Sequence, residues 1–253
     1  MRTAKLILVP STLLFLVFLL NTEIKSIPAL GKFLSPYTGF WCNAEEVGKK
    51  RKATLKFPEL KGEVKVVYDD RSVPHIFAEN DEDAAFAQGY IEAKDRLWQM
   101  DFQTRFAAGR LSEILGERPL EIDKRMRRKG LAYGAWKTNE QWKNYPVAYS
   151  FALAYCEGAN AYIQNLAPKD YPVEFKLLGY EPEEWSPYKM ALLTKLMADD
   201  LANRGYDLEM SNALAVFGRE VFDFLFPEYF PDQTPIIPKE TPWNFVPKQL
   251  RAN

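Results

Sequence analysis

The sequence has few of the residues from which many catalytic sites are built. Its 253 residues include one histidine, His75, and two cysteines, Cys42 and Cys156. Two cysteines are too few for a disulfide scaffold and lack the paired spacing of a zinc site; whether they pair with each other stays open. No Gly-x-Ser-x-Gly segment is present, so His75 has no evident nucleophile to activate. We therefore expect His75 to have a structural role.

An excess of charge is also missing. The chain has 33 basic and 34 acidic residues, which gives a formal net charge of −1 and no electrostatic argument for a nucleic-acid partner. The run Lys124–Lys129 is strongly basic, but its surroundings are acidic and no aromatic residues alternate with it. It predicts a solvated or ion-paired face. Hydrophobic residues make up 47% of the chain, which is enough for a substantial core.

The N-terminal pattern is typical of an export signal. Arg2 and Lys5 precede the apolar run Leu6–Leu20, which Pro10 interrupts. Such a run suits a secretory signal sequence and is short of the roughly 20 residues that a membrane-spanning helix needs. No small-x-small cleavage site follows, so cleavage and retention as an anchor both stay open. We expect an exported protein, periplasmic or anchored to the inner membrane by residues 1–22, with no other membrane contact.

Composition divides the rest of the chain into three parts. Residues 23–60 are rich in proline, glycine, aromatic and then charged residues, which predicts a connector on the surface. Residues 61–226 carry the regular apolar patterns of a folded domain. Residues 227–253 contain six prolines within 21 residues, which excludes a regular helix or a central strand. We expect an extended linker there.

The folded part begins with two predicted strands. Val64–Tyr68 and Val73–Ala78 are apolar and rich in β-branched residues, and the polar residues Asp69–Ser72 separate them. This arrangement predicts a pair of strands joined by a turn.

A long helix should follow the strands, capped by Asn80 or Asp81. We expect this helix to weaken or bend at Gly109 and to end at Gly116. Its apolar positions recur at alternating steps of four and three, the period of one helix face: Phe86, Tyr90, Ala93, Leu97, Met100, Thr104, Ala107, Leu111 and Ile114.

Further helices are predicted downstream from apolar spacing and capping. They cover about 144–166, 187–202 and 208–218, and Ser186 and Pro187 give the second of these a well-defined start. The fold class is therefore α+β and mostly helical, with two short N-terminal strands and about five helices.

Several short motifs follow one another in this stretch. They are Val-Pro-His-Ile at 73–76, Ala-Gln-Gly-Tyr at 87–90, Ala-Lys-Asp-Arg-Leu-Trp-Gln-Met-Asp at 93–101 and Ala-Gly-Arg-Leu-Ser-Glu-Ile-Leu-Gly at 108–116. In this order they resemble the start of the α segment of the penicillin acylase family of N-terminal-nucleophile amidohydrolases. The resemblance implies the α-chain portion of a four-layer αββα hydrolase, whose helices pack around the sheets of a β segment.

In the resembled family, a serine that becomes N-terminal after self-processing cleaves an amide, and its own α-amine acts as the base. That serine opens a Ser-Asn-Asn-Trp-like motif. None of the eight serines here precedes Asn-Trp, and the nearest match, Ser211-Asn212, lies within a predicted helix. The resemblance therefore implies that the nucleophile belongs to a β segment. The chain, truncated or encoded apart from that partner, should be inactive alone on N-acyl substrates such as a β-lactam side chain or an acyl-homoserine lactone.

The break between the last two predicted helices holds the candidate site residues. By the resemblance, Arg204 borders the acyl-binding pocket, with Tyr206 and Leu201 as further substrate-binding residues, and Glu209 ligates a structural calcium ion. Gly205 stands where the family usually has an aromatic residue, so the acyl preference stays open. Calcium takes six to eight oxygen ligands, and the remaining ones are expected from the β segment.

Three alternatives stay open. Arg204 and Glu209 can instead belong to loop ion pairs with Asp200 or Asp207. The chain can also be a membrane-anchored helical binding or scaffolding module that never acts catalytically, which explains the missing nucleophile.

The third and weakest alternative is a metallohydrolase that uses Glu92, Asp95 and Asp101. No histidine accompanies these carboxylates, and Arg96 and Arg105 lie close enough in sequence to neutralise them. Ion pairs that support the helix are the favoured interpretation.

Overall fold

The described part of the chain is mostly helical, as the sequence predicts. The computed structural model describes residues 2–24, 28–44, 54–202 and 205–227. The elements in chain order are α1 (Arg2–Leu20), β1 (Lys65–Tyr68), β2 (Pro74–Phe77), α2 (Asp81–Ala108), α3 (Ser112–Leu115), α4 (Leu120–Lys129), α5 (Leu131–Trp142), α6 (Pro146–Ile163), α7 (Val173–Leu178), α8 (Pro187–Leu201) and α9 (Asp207–Leu225). The chain divides into two compact units after Leu201. The first unit holds α1 to α8, and the second holds α9.

The two strands form an antiparallel hairpin. Val66 pairs with Ile76 and Val67 pairs with His75, which confirms the predicted strand pair. The Asp69 carboxylate organises the turn, because its Oδ1 accepts hydrogen bonds from the backbone N–H groups of Arg71 (2.9 Å) and Val73 (2.8 Å). A single polar side chain thereby fixes the register of the hairpin.

Helix α2 starts where the sequence predicts and ends earlier. The Asn80 side chain accepts a hydrogen bond from the Asp83 backbone N–H at 2.9 Å, which is an N-cap. Gly109 adopts a left-handed conformation with φ of 66°, and its N–H bonds back to the carbonyls of Arg105 and Phe106. The expectation that this helix continues to Gly116 is therefore wrong, because Gly109 closes it as a C-cap and Gly116 instead follows α3.

Helix α2 is the central element of the first unit. Its predicted apolar face is buried at seven positions: Phe86, Ala93, Leu97, Met100, Thr104, Ala107 and Leu111, the last just past the helix end. One core cluster joins the middle of α2 to Cys156, Ala159 and Ile163 of α6 and to Phe175 and Trp185. A second joins Ala107 and Ala108 to α5 and α8. The helix thus contacts neighbours along its whole length.

Glycines allow α2 and α6 to lie unusually close. A Cβ atom added to Gly89 of α2 would lie 2.0 Å from the carbonyl oxygen of Tyr155, and one added to Gly158 of α6 would lie 1.9 Å from that of Phe86. Both obstacles are backbone atoms of the facing helix, which cannot turn aside as a flexible side chain can. The spacing of the two helices therefore depends on hydrogen in place of a methyl group at both positions.

Helices α4 and α5 were not predicted, because neither segment has a wide apolar stripe. In α4 only Asp123 and Met126 are buried. Two of its basic residues are ion-paired, since Lys124 contacts Glu121 at 2.7 Å and Lys129 contacts Asp199 of α8 at 2.5 Å. Arg125 and Arg128 are exposed, so the basic run forms the solvated or ion-paired face that the sequence predicts.

Within the first unit, a lysine of α7 joins that helix to the segment before the hairpin. Lys176 of α7 donates hydrogen bonds to the carbonyls of Gly39 (3.1 Å) and Lys169 (2.7 Å) and to Oδ1 of Asn43 (2.7 Å).

Within the described residues, no helix has both the length and the apolar character of a membrane span. Export and anchoring by residues 1–22 stay predictions.

The second unit is described by α9 alone. This helix runs past the predicted end at Gly218, where the backbone leaves the helical conformation (φ 74°, ψ 168°), and continues to Leu225. Leu208, Val216 and Phe224 are strongly exposed on it. The predicted linker at 227–253 lies outside the described residues apart from its first residue.

We expect Gly158→Ala to destabilise the chain strongly, because its new methyl group must push α2 and α6 apart. The loss should be about 3 kcal/mol in the free energy of unfolding, at the upper end of overpacking effects. Gly134→Ala is the matched control. It also places a methyl group on a helical glycine, but it meets nothing closer than a lysine side-chain carbon at 3.6 Å, so it should stabilise α5 by about 0.5 to 1 kcal/mol. Urea unfolding measures both, and equal effects of the two variants would contradict the close-contact argument.

Candidate functional site

The predicted site residues lie at the junction between α8 and α9. Leu201 is the last residue of α8 and is 75% exposed. Tyr206 is the N-cap residue of α9, and its carbonyl accepts the first helical bond from Met210 N–H at 2.8 Å. Arg204 lies outside the described residues. Tyr206 and Glu209 therefore lie together at the start of α9, in the second unit. Leu201 is the last residue of the first unit. The assignment of Arg204, Tyr206 and Leu201 to substrate binding stays a prediction.

Glu209 suits calcium in part. It lies exposed in the first turn of α9 with Asp207, so two carboxylates stand at the positive end of the helix dipole. Among the described residues, no group of three or more histidine, cysteine, aspartate or glutamate side chains is arranged to hold a metal ion. Oxygen donors are the right chemistry for calcium, but this helix end supplies too few of them.

Two of the three carboxylates in the metallohydrolase alternative are engaged in other bonds. Glu92 accepts hydrogen bonds from the Tyr155 hydroxyl and from Gln88 Nε2. Asp101 is buried and forms an ion pair with Arg105 of its own helix. This geometry supports the interpretation that the carboxylates stabilise the helix, and Arg96 donates a hydrogen bond to Oε1 of Gln99.

His75 faces a carboxylate at the turn end of the hairpin. Its Nε2 lies 3.3 Å from Oδ2 of Asp69, and its side chain is about half exposed. Hydrogen bonds from the Val73 N–H, the His75 ring and the Arg71 N–H lower the pKa of Asp69 against a smaller effect of burial. Among the described residues, no hydrogen bond joins His75 to a serine or cysteine. The geometry fits the structural role expected for this histidine.

An open cleft of about 970 Å³ lies between the hairpin turn, the middle of α2 and the segment before α7. Arg71, Lys94 and Arg96 supply positive charge to its walls, and Asp170 and Glu174 are among its acidic residues. Leu201, Tyr206 and Glu209 do not line it. Because charges of both signs alternate over an open surface, the cleft indicates no particular ligand.

A set of buried and partly exposed charged residues lies around the end of α2, and sequence reasoning did not bring it together as a whole. We call it the ionic cluster, and its members are Asp101, Arg105, Arg110, Glu113, Glu183 and Lys189. Arg105 is its centre and is 5% exposed. Its Nε contacts Asp101 at 2.8 Å, and its terminal nitrogens contact Glu113 at 3.0 Å and Glu183 at 2.8 Å.

Glu183 connects the cluster to the segment before α8. It contacts Arg110 at 2.7 Å and Lys189 at 3.1 Å in addition to Arg105. Hydrogen bonds from Arg110, followed by the charge and hydrogen bond of Lys189, lower the pKa of Glu183 to about 2 despite some burial. Burial lowers the pKa of Lys189, and the Glu183 charge opposes that effect. The carboxylate of Glu183 is therefore held ionised.

Four of the six residues of this cluster had a signal in the sequence, since Asp101 and Arg105 are four residues apart on one helix. Arg110 and Glu113 are three residues apart within the Ala-Gly-Arg-Leu-Ser-Glu motif, a spacing that predicts a local ion pair. Glu183 lies 73 residues from Arg110, and Lys189 is on another helix. A pairing at that separation depends on the tertiary fold, so no local pattern could have indicated it.

Comparison with known proteins finds relatives of this chain. The family model described as penicillin amidase matches residues 63–241. The chain is 34% identical over 165 residues to penicillin acylase 2 proenzyme of Pseudomonas sp. (strain SE83), which covers 65% of this chain and 21% of that protein. It is 36% identical over 153 residues to acyl-homoserine lactone acylase QuiP of Pseudomonas aeruginosa, which covers 60% of this chain and 18% of that protein.

A solved structure matches the fold. It is a thermostable penicillin G acylase from Alcaligenes faecalis, with a TM-score of 0.59 and 22% identity, over 70% of this chain and 97% of that chain. The present chain therefore spans about a fifth of the length of the curated relatives and nearly all of the matched chain in the solved structure.

Acid should destabilise the fold through the ionic cluster more than through exposed carboxylates of ordinary pKa. The pKa of Glu183 lies below its ordinary value of 4.5, so the stabilisation from this group is complete above about pH 4.5 and is lost as the pH falls towards 2. Melting temperature measured from pH 6 down to pH 2.5 should fall more steeply for the unmodified chain than for Glu183→Gln. Glu117→Gln, at an exposed position, serves as control, and a Glu183→Gln profile parallel to the unmodified one would contradict the assignment.

Proposed function

The chain belongs to the penicillin amidase family, and from this we propose that it is the α part of an amidohydrolase acting on N-acyl compounds. The reaction would be hydrolysis of a linear amide, with a β-lactam side chain or an acyl-homoserine lactone as the substrate class. The observation that carries the proposal is the family match across residues 63–241. The names of the relatives, a penicillin acylase and an acyl-homoserine lactone acylase, support the two substrate classes equally.

We place the nucleophile on a separate β segment. None of the eight serines in this chain precedes an Asn-Trp pair, so the sequence offers no candidate for an N-terminal nucleophile. Two lengths support the division into segments: this chain spans about a fifth of a relative named as a proenzyme, yet it covers 97% of one chain in a solved penicillin G acylase. A segment of this extent can therefore exist as a chain of its own within an acylase.

The exposed apolar surface of the first unit supports the proposal that a β segment packs against it. The hairpin exposes Val67, Tyr68, Val73 and Phe77, and α5 exposes Tyr133 and Trp136. An isolated two-stranded sheet is marginal in water, and clustered apolar residues of this kind mark surfaces that another chain covers. Covering them with the sheets of the β segment would remove both problems at once.

In the proposed reaction, the α-amine of the β-segment serine removes the proton from its own hydroxyl. The serine oxygen then attacks the amide carbonyl, and the proton passes to the leaving nitrogen as the C–N bond breaks. Water hydrolyses the acyl ester to the free acid and restores the serine hydroxyl. The residues of this chain take no part in proton transfer. Arg204, Tyr206 and Leu201 would border the acyl group and select its shape, an assignment that rests on the family resemblance.

Glu209 would supply one ligand to a structural calcium ion whose other ligands come from the β segment. Its exposed carboxylate in the first turn of α9 is free to face a partner, and one carboxylate alone is insufficient for calcium. In this arrangement the ion would fasten the second unit of the chain to the β segment, without a direct role in the chemistry.

Production of this chain together with a family β segment that begins Ser-Asn should give a complex that hydrolyses a chromogenic N-acyl amide. The chain alone should show no activity, and neither should a complex whose β segment begins with alanine. Absence of both association and activity with several such β segments would refute the proposal. A reading frame beyond the codon of Asn253 that encodes a Ser-Asn-Asn-Trp-like start would favour the amidohydrolase proposal over a non-catalytic scaffold.

Arg204→Ala should lower kcat/KM of the active complex by about tenfold or more and change the preference among acyl chains, as expected for a pocket residue. Arg125→Ala, on the exposed side of α4, is the control and should leave both unchanged. An identical acyl-chain profile in the two variants would exclude Arg204 from the pocket.

Glu209→Gln should reduce the increase in melting temperature that calcium gives to the complex, because a carboxylate ligand is replaced by a weaker neutral one. Glu220→Gln, at another exposed position of the same helix, should keep the full calcium response. If both variants keep it, Glu209 is not a ligand.

A further inference from the structure

Helix α1 exposes apolar side chains that the rest of the first unit leaves uncovered. None of the described side chains of this helix belongs to either core cluster. Its exposed apolar residues are Leu8, Val9, Leu13, Leu14, Phe15, Leu16, Val17, Phe18 and Leu19. An apolar surface of this extent on one element indicates a site of interaction.

The exposed apolar surface extends around the whole helix. Residues 13–19 are seven successive apolar residues, and each is rotated by about 100° from the one before it. Together they therefore point in every direction from the helix axis. A groove on another protein covers one side of a helix and would leave the opposite side in water. A helix that is apolar on all sides suits a medium that surrounds it, such as the hydrocarbon of a lipid bilayer.

The charges at the two ends of this stretch also fit a phospholipid membrane. Arg2 and Lys5 precede it, and the next charged residue in the chain is Glu23. The stretch thus avoids the cost of placing an ionised side chain in hydrocarbon. The basic residues at its start complement the anionic headgroups of phospholipids.

The last turn of α1 meets a further requirement of a hydrocarbon environment. Helix ends in water leave their final carbonyls to the solvent, whereas in hydrocarbon each carbonyl needs a donor from the protein. All four final carbonyls of α1 have one. The donors and acceptors are Asn21 Nδ2 to Val17 at 2.9 Å, Thr22 Oγ1 to Phe18 at 2.7 Å, Thr22 N to Leu19 at 3.4 Å and Gly31 N to Leu20 at 2.7 Å.

The bond from Gly31 connects α1 to the folded part of the chain. A Cβ atom added to Gly31 would lie 2.7 Å from Oδ1 of Asn21, so the two segments are in close contact. Residues 28–44 in turn contact the region before α7, where Asn43 Nδ2 donates to the carbonyl of Tyr171 at 2.9 Å. Cleavage between Leu20 and Gly31 would separate the two partners of the bond that closes the helix end.

We propose that α1 is retained as a lipid-inserted anchor, and that residues 28–44 connect it to the first unit at the membrane surface. Residues 8–20 extend about 20 Å at the rise of a helix, so insertion of this stretch does not require α1 to cross the bilayer. The inference concerns the attachment of the chain and is independent of the proposed activity.

The mass of the full chain after production in a Gram-negative host tests retention. The membrane fraction should contain the protein with all 253 residues and a mass of 29.2 kDa. Asn21→Ala combined with Glu23→Ala is the positive control, because it creates a small-x-small segment directly after the apolar run, as signal cleavage requires. This variant should yield a shorter chain in the soluble periplasmic fraction. Recovery of the unmodified chain without α1 would overturn the proposal.

Flotation of the purified full chain with vesicles of phosphatidylethanolamine and phosphatidylglycerol tests insertion. Leu14→Lys combined with Phe18→Lys should reduce the floating fraction by about tenfold or more, because it places two charges in hydrocarbon. Tyr145→Lys combined with Val147→Lys is the matched control, since these side chains are 67% and 70% exposed, against 66% and 70% for Phe18 and Leu14. The control should float like the unmodified chain. Failure of the unmodified chain to float, or equal flotation of the two double variants, would refute insertion through α1.

Discussion

The close approach of α2 and α6 is the constraint on which the first unit depends. Gly89 and Gly158 each face a backbone carbonyl of the opposite helix, so the two helices meet backbone to backbone over one turn. This contact fixes where the apolar residues of both helices lie, and the larger core cluster of Ala93, Leu97, Cys156 and Ala159 follows from it. A wider spacing would leave that cluster underpacked, because small residues cannot fill the gap.

The ionic cluster has a different role at the other end of α2. Isolated charges in an interior are strongly unfavourable, and even a paired set rarely stabilises more than apolar packing would. The cluster contributes to the specificity of the fold. The buried Arg105 guanidinium is fully paired only when Asp101, Glu113 and Glu183 all contact it. This requirement places the segment before α8 against the end of α2, and Gly109 allows the turn in the chain that brings Glu113 back to Arg105.

Much of this fold could be predicted from local sequence. The parts that were missed have a common physical reason, because they depend on contacts between residues far apart in the chain. The hairpin, the start of α2 and the start of α8 each follow from residues close in sequence, such as Asn80 and Pro187. Helix α4 was missed because its stability comes from ion pairs and a contact with the end of α2, where Arg127 donates to the Gly109 carbonyl. Its apolar pattern is too weak to predict a helix.

The candidate site was less predictable than the fold for a related reason. Arg204 and Glu209 could be singled out only through the family resemblance, since neither belongs to a local pattern with chemical meaning. A substrate pocket is assembled from segments far apart in the chain, and a site shared between two segments has an incomplete donor set in either one. The exposed carboxylate of Glu209 illustrates this. Its position at a helix N-terminus favours negative charge, but only other oxygen ligands turn such a charge into a calcium site.

The first unit has a core of its own and also exposes apolar side chains on its surface. The two core clusters bury side chains of α2, α6 and α8. The hairpin has no such support, because a two-stranded sheet with Val67, Tyr68 and Phe77 facing water buries little on either side. The hairpin is therefore the part of the first unit that would gain most from being covered, whereas the helices around α2 already bury side chains against one another.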